Sequence, residues 1–165
     1  MNLTQAQTEQ LVSQIVTRLA EREHRVHALL LPQLRAGLDT SVFLHHATLH
    51  LMLPDLAFIH QLAQFDTNCP AVVALNEAWS WGMKVHISLH RQLLPALPMT
   101  ALRPLPLTFS DNQGLAVRLH TGKVLSYRDI ATLDPGWLLI ASSTLVTPLA
   151  QETLSARHIQ LLRQE

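Results

Sequence analysis

The pattern of apolar and polar positions is most regular in the first twenty residues. Five apolar side chains recur there with the spacing typical of one face of an α-helix: Leu11, Val12, Ile15, Val16 and Leu19. Thr4 and Gln7 have the types and spacing of a capping box, and the charged run 21–25 ends the stripe. The pattern predicts an amphipathic helix within 1–22 and a charged hinge at 23–25. Because so short a helix is marginal alone in water, its apolar face needs a partner.

The next part of the chain alternates between short apolar strands and helices. Three segments are predicted as strands: 26–31, 47–53 and 84–89. Two helical patterns, 56–63 and 71–81, lie between the second and third strands. A strand–helix–helix–strand order with short loops predicts a parallel sheet in a three-layer α/β arrangement for the block 26–98.

After a proline-rich connector at 97–106, the sequence pattern changes to one that predicts strands and turns. Residues 111–114 predict a hairpin, and Thr147 with Pro148 predicts the start of a final helix before a closing strand at 159–162. We expect the portion 107–165 to pack against an edge of the sheet. The predicted fold is therefore a single α/β domain over 26–165. It has a small three-layer, parallel-type sheet that is a degenerate Rossmann or flavodoxin-like arrangement, with a C-terminal α+β extension and the N-terminal amphipathic helix.

Composition and charge exclude several classes of partner. Of the 165 residues, 48% are hydrophobic, which is enough for a substantial core, and 12 basic residues balance 12 acidic ones. This balance gives no attraction to nucleic acid or to an anionic membrane surface. The single cysteine excludes an internal disulfide, and we find neither a secretory leader nor an apolar run of about 18 residues. We therefore expect no nucleic-acid partner and no membrane partner.

The sequence lacks the motifs of nucleotide, flavin or nucleophilic enzymes. None of its five glycines forms a phosphate-binding pattern. Cys69 precedes Pro70 with no base nearby in sequence, so we interpret it as a small core residue. Asp55, at the end of a predicted strand, could hold a ribose or a flavin edge, but a helix N-cap is the favoured interpretation. Trp79 and Trp81 are interpreted as core anchors in preference to a ligand cage. No catalytic or cofactor-binding residue is predicted.

Ten histidines make metal binding worth testing against the predicted elements. His45, His46 and His50 fall in a segment predicted as a strand, where residues four apart stand about 13 Å apart and cannot share a metal ion. His86 and His90 have the same spacing on another predicted strand. We therefore predict no metal site and interpret these histidines as surface or edge-strand residues.

Three parts of the chain together resemble one family. They are the N-terminal helix with its hinge, a central block and a tail. The segments that carry the resemblance are 42–49, 53–56, 82–90 and 93–98 in the central block, with 125–127, 136–139, 146–150 and 159–165 in the tail. They resemble the M-type protein family of propanediol-utilisation bacterial microcompartments, the PduM family, over nearly the full length.

The resemblance implies a non-enzymatic structural or assembly protein of the organelle that degrades 1,2-propanediol with coenzyme B12. It implies no cofactor and no catalytic residue, and it makes shell or cargo proteins the partners. The residues implied as the protein-interaction face are Leu11, Val12, Ile15, Val16 and Leu19. Two alternatives stay open: the helix packs on its own domain or on a second copy, or the chain is a degenerate flavin-binding, decarboxylase-like protein.

Overall fold

A computed structural model describes residues 4–165 as a mixed sheet with helices on both sides. The helices are α1 Gln5–Glu23, α2 Leu31–Arg35, α3 Thr40–His45, α4 Leu56–Ala63, α5 Pro70–Ser80, a 3-10 helix Arg91–Ala96, α6 Met99–Leu102, α7 Tyr127–Ile130 and α8 Pro148–Ala156. The strands are β1 Val26–Leu30, β2 Thr48–Met52, β3 Lys84–Leu89, β4 Leu107–Asp111, β5 Ala116–His120, β6 Val124–Leu125, β7 Gly136–Ile140, β8 Leu145–Val146 and β9 Ile159–Arg163.

Seven strands form one sheet in the order β1-β2-β3-β4-β5-β7-β9, while β6 and β8 form a separate pair. Strands β1 to β4 are parallel, and so are β5, β7 and β9, while β4 and β5 are antiparallel. The predicted α/β class with a largely parallel sheet is confirmed. The C-terminal portion, however, does not pack against an edge of a finished sheet. It continues the same sheet, because the hairpin at 111–114 sets β5 directly beside β4.

The hairpin also decides which face each helix covers. The chain moves across the sheet in one direction throughout, but the strands run in opposite directions before and after the hairpin. Since crossovers between parallel strands are right-handed, reversing the strands moves the connecting helices to the opposite face. The larger core cluster accordingly joins one face of the sheet to α2–α6, and the smaller cluster joins the other face to α7 and α8.

This division leaves part of the sheet without a helical cover. On β1 to β4, the side chains that point away from α2–α6 belong to neither core cluster of the described residues. Val26 and Leu30 are exposed there, and His50 and His86 are half-buried. A doubly wound α/β sheet normally buries both faces of its parallel strands. The first half of this sheet therefore has one uncovered face.

Local sequence signals account for most helix starts. Asp55 caps α4 by accepting a hydrogen bond from the Phe58 amide at 2.8 Å, and Thr147 caps α8 through the Ala150 amide at 3.2 Å. The capping interpretation of Asp55 is thus confirmed. The connector at 97–106 differs from its prediction, because it contains α6, whose Met99 and Leu102 are buried in the larger core cluster.

Candidate interaction surface

Helix α1 begins at the predicted capping box. The Gln7 amide donates to Thr4 Oγ1 at 3.3 Å, and the Thr4 amide donates to Gln7 Oε1 at 2.9 Å. From there the helix runs for 19 residues to Glu23, a length of about 28 Å. Most of the charged run 21–25 is helical, so that His24 and Arg25 alone link α1 to β1.

The apolar stripe of α1 is exposed on the surface of the described chain. No residue of α1 is buried, and the five stripe side chains keep between 47% and 59% of their accessible surface. Five large apolar side chains on one exposed helix face form a contiguous patch of the kind that marks interaction sites. The stripe is therefore available to another molecule.

The last turn of α1 is attached firmly to the body. Arg22 Nε donates to the Phe43 carbonyl at 3.0 Å, and its guanidinium also donates to the Trp81 carbonyl at 3.1 Å. These carbonyls lie at the C-terminal ends of α3 and α5, where helices leave acceptors without partners. The Arg22 carbonyl in turn accepts from the Ala47 amide at 3.1 Å. Arg22 thus fixes the point from which the helix leaves the body.

The two tryptophans that the sequence predicts as core anchors have different surroundings. Trp79 is half-buried and packs against the larger core cluster. Trp81 is exposed, but its ring stacks on the buried Phe43 with centroids 5.5 Å apart and planes 4° apart. Trp81 therefore helps to hold α3, and with it the site where Arg22 binds.

A groove of about 510 Å³ lies between the second half of α1 and α3. Ile15 and Leu19 of the stripe line it, together with Leu44 of α3, which is 54% exposed. The charged residues that line the same groove are Arg18, Arg22 and Arg25, with Glu21 among them, so positive charge predominates. Leu44 is not part of the predicted interaction face, because the pattern around it does not indicate a helix at 40–45. The candidate interaction surface is the α1 stripe together with Leu44.

The histidines do not assemble into a metal site within residues 4–165, where no group of three or more metal-ligating side chains occurs. His45 ends α3 and His46 caps it, so their predicted placement on a strand is wrong. The helix arises because Phe43 turns into the core beneath it. Pairs form instead: the ring centroids of His27 and His46 lie 5.2 Å apart, and those of His50 and His86 lie 5.0 Å apart.

These pairs predict a pH dependence of stability. Burial, and then the nearby His50, lower the pKa of His86, and burial with His46 lowers the pKa of His27. In the unfolded chain these two histidines bind protons with the ordinary histidine pKa of about 6.5, whereas in the folded chain they bind protons only at lower pH. Stability is therefore expected to fall as the pH drops below about 6.5, and His86→Gln should make this fall shallower. Urea unfolding midpoints at several pH values measure this fall in stability. An equally steep fall in His86→Gln would contradict the assignment of the pH dependence to His86.

The lone cysteine has the surroundings of a core residue. The Cys69 thiol is buried, as the sequence predicts, and it donates to Gln61 Oε1 at 3.3 Å. No helix among residues 4–165 has the length and apolar character needed to cross a membrane.

Comparisons with known proteins give a consistent result. A family model described as "Putative propanediol utilisation" matches residues 10–160. The chain is 40% identical to the "Bacterial microcompartment assembly protein PduM" of Salmonella typhimurium strain LT2 over 157 residues, which cover 95% of this chain and 96% of that protein. It is 37% identical to the protein of the same name from Citrobacter freundii, with the same coverage. No solved structure gives a significant match.

Proposed function

Because the chain belongs to the PduM family of propanediol-utilisation proteins, we propose that it is a non-enzymatic assembly protein of the microcompartment that degrades 1,2-propanediol. The relatives carry the name of assembly proteins, and they align with this chain over nearly its whole length. Its partners in this role are shell or cargo proteins of that organelle.

The exposed stripe of α1 is the observation that carries the proposal. An assembly protein must present a surface that other components recognise, and interfaces depend on a few apolar anchors near their centre. Five such anchors lie on one face of a helix whose last turn is held to the body by the hydrogen bonds of Arg22. The arrangement suits insertion of α1 into an apolar groove or helix pair of a partner.

The flavin-binding alternative lacks the phosphate-binding loop that such folds place after their first strand. A phosphate-binding loop separates the first strand from its helix and supplies free backbone amides. Here α2 starts at Leu31, directly after the last residue of β1, and Pro32 has no amide hydrogen to donate. This arrangement favours the assembly role over a flavin-dependent one.

Substitution on the stripe tests the proposal with a matched control. Ile15→Glu places a charge at the centre of the stripe, so we expect the amount of the chain that co-purifies with microcompartments to drop about tenfold or more. Gln14→Glu introduces the same charge at the neighbouring position on the polar side of the helix and should leave the amount unchanged. Both positions are exposed, so both variants should unfold within about 0.5 kcal/mol of the parent.

The two variants can also disagree with the proposal in a clear way. If Ile15→Glu co-purifies as well as the parent, the stripe is not the contact. If Gln14→Glu loses association to the same extent, added charge anywhere on the helix is sufficient, and the apolar face has no special role.

A further inference from the structure

A second surface, separate from α1, lies at the edge of the uncovered half of the sheet. A cavity of about 800 Å³ occupies the step where the layer formed by α7 ends and the uncovered face of β3 and β4 begins. Its volume falls within the range of about 300–1,000 Å³ that is typical of small-molecule sites. The hairpin reversal creates this step, because it moves the helical layer to the other face partway across the sheet.

The floor of the cavity is a hydrogen-bonded set of imidazoles and hydroxyls. His86 Nδ1 lies 2.7 Å from Thr108 Oγ1, and His86 Nε2 lies 2.8 Å from Ser110 Oγ. His50, in edge contact with His86, has its Nε2 3.1 Å from the Ser88 hydroxyl. The Thr108 and Ser110 hydroxyls line the cavity, and each oxygen can form a further bond, so the floor offers uncharged donors and acceptors to a ligand.

Two guanidinium groups give the cavity a positive side. Ser110 pairs with Ala116 across the hairpin, so Arg118, two residues along β5, points to the same face of the sheet. One Arg118 nitrogen donates to the Asp134 carbonyl at 3.1 Å, which leaves its other donors for a ligand. Arg103 lines the cavity as well, and within residues 4–165 neither arginine forms an ion pair.

The acidic residue of the cavity, Asp129, forms no ion pair with either arginine within residues 4–165. Asp129 accepts hydrogen bonds from the Ser126 amide at 2.8 Å and the Ser126 hydroxyl at 3.0 Å. Its carboxylate therefore serves the capping box of α7. The remaining wall is apolar, with Leu125, Leu133 and Leu138 beside it.

We propose that this cavity binds a small organic oxyanion, whose carboxylate or phosphate group is held by Arg103 and Arg118. The uncharged part of the molecule rests between the leucine wall and the floor of His50 and His86. Guanidinium groups suit both oxyanions because their planar donors match two oxygens at once. The site is independent of the α1 stripe and would add ligand binding to the assembly role.

Titration of the full chain with charged and uncharged probes of the same shape tests this inference. Phenyl phosphate and benzoate should shift the ring C–H resonances of His50 and His86 in a saturable way, and both should bind about tenfold more tightly than the neutral benzamide. Substitution of His50 or His86 by Gln assigns the two resonances. A preference for phenyl phosphate or for benzoate identifies which oxyanion the site takes.

Five variants test whether the two arginines and the open volume of the cavity, which Ala116 also lines, carry the binding. Arg118→Gln and Arg103→Gln should each weaken binding about tenfold, and Ala116→Leu should block it by filling the cavity. Arg35→Gln, at an exposed position of α2 outside the cavity, and Ile15→Glu on the stripe should leave binding unchanged. Absence of saturable shifts up to about 10 mM, equal binding of benzamide, or an equal loss in Arg35→Gln would overturn the proposal.

Discussion

A chain that lacks residues 1–20 is expected to keep its folded α/β body while its association with microcompartments drops about tenfold or more. The body should survive because no described residue of α1 is buried, so the deletion uncovers no core side chain. Arg22 must stay, since it donates to the Phe43 and Trp81 carbonyls and joins the body to the chain end. Association should fail because the deletion removes all five stripe residues.

The deletion is measured by unfolding of the purified chain and by its amount in isolated microcompartments. Folding should be unchanged within about 1 kcal/mol. A longer deletion through residue 25 serves as the control for the role of Arg22, and it should destabilise the body. If the shortened chain unfolds, the stripe contributes to the stability of the domain. If it co-purifies fully with microcompartments, α1 is not the contact.

Asp111→Ala is expected to cost about 3 kcal/mol of unfolding free energy. The Asp111 side chain is 0% exposed and faces Arg91, with a nitrogen–oxygen distance of 3.5 Å. It accepts from Trp137 Nε1 at 3.0 Å and from the Gln113 and Leu115 amides at 2.8 and 2.9 Å. Alanine would leave these donors without an acceptor at the hairpin that reverses the sheet.

The same carboxylate predicts a loss of stability in acid. Burial raises the pKa of Asp111, but the hydrogen bonds from Trp137, Leu115 and Gln113, with the charge of Arg91, lower it further, so that the pKa lies below its ordinary value. Its contribution is therefore complete above about pH 4 and is lost as the pH falls through the lowered value.

Urea unfolding of Asp111→Ala and of a matched control measures both the cost of the substitution and the loss of stability in acid. Asp39→Ala is the control, because Asp39 is an exposed helix cap whose side chain makes no capping hydrogen bond. It should change stability by about 0.5 kcal/mol or less. If the two substitutions cost the same free energy of unfolding, the buried hydrogen bonds of Asp111 do not stabilise the fold.

The features that sequence predicts well are those set by neighbouring residues. The capping box of Thr4 and Gln7, the cap at Asp55 and the start of α8 at Thr147 all depend on side chains three positions from the amide they bind. The α1 stripe follows from spacing in the same way. These elements appear in the structure close to the predicted residues.

The features that sequence missed depend on distant pairings. The predicted hairpin places β5 beside β4, but β5 joins the main sheet only because β4 pairs in parallel with the distant β3, for example Phe109 with Ile87. The position of α7 and α8 on the opposite face follows from the same pairing. The two-residue strand β8 exists only through its pairing with β6. Leu44 joins the interaction surface because α1 lies beside α3, which no local pattern indicates.

Photo-crosslinking of the full chain inside microcompartment-producing cells tests the role of α1 most directly. A photoreactive side chain at Val16 on the stripe should form adducts with an identified shell or cargo protein of the microcompartment. The same group at Ser13, on the polar side of the helix, should form about tenfold fewer. Adducts from Val16 to a second copy of this chain, or equal yields from Val16 and Ser13, would contradict the account.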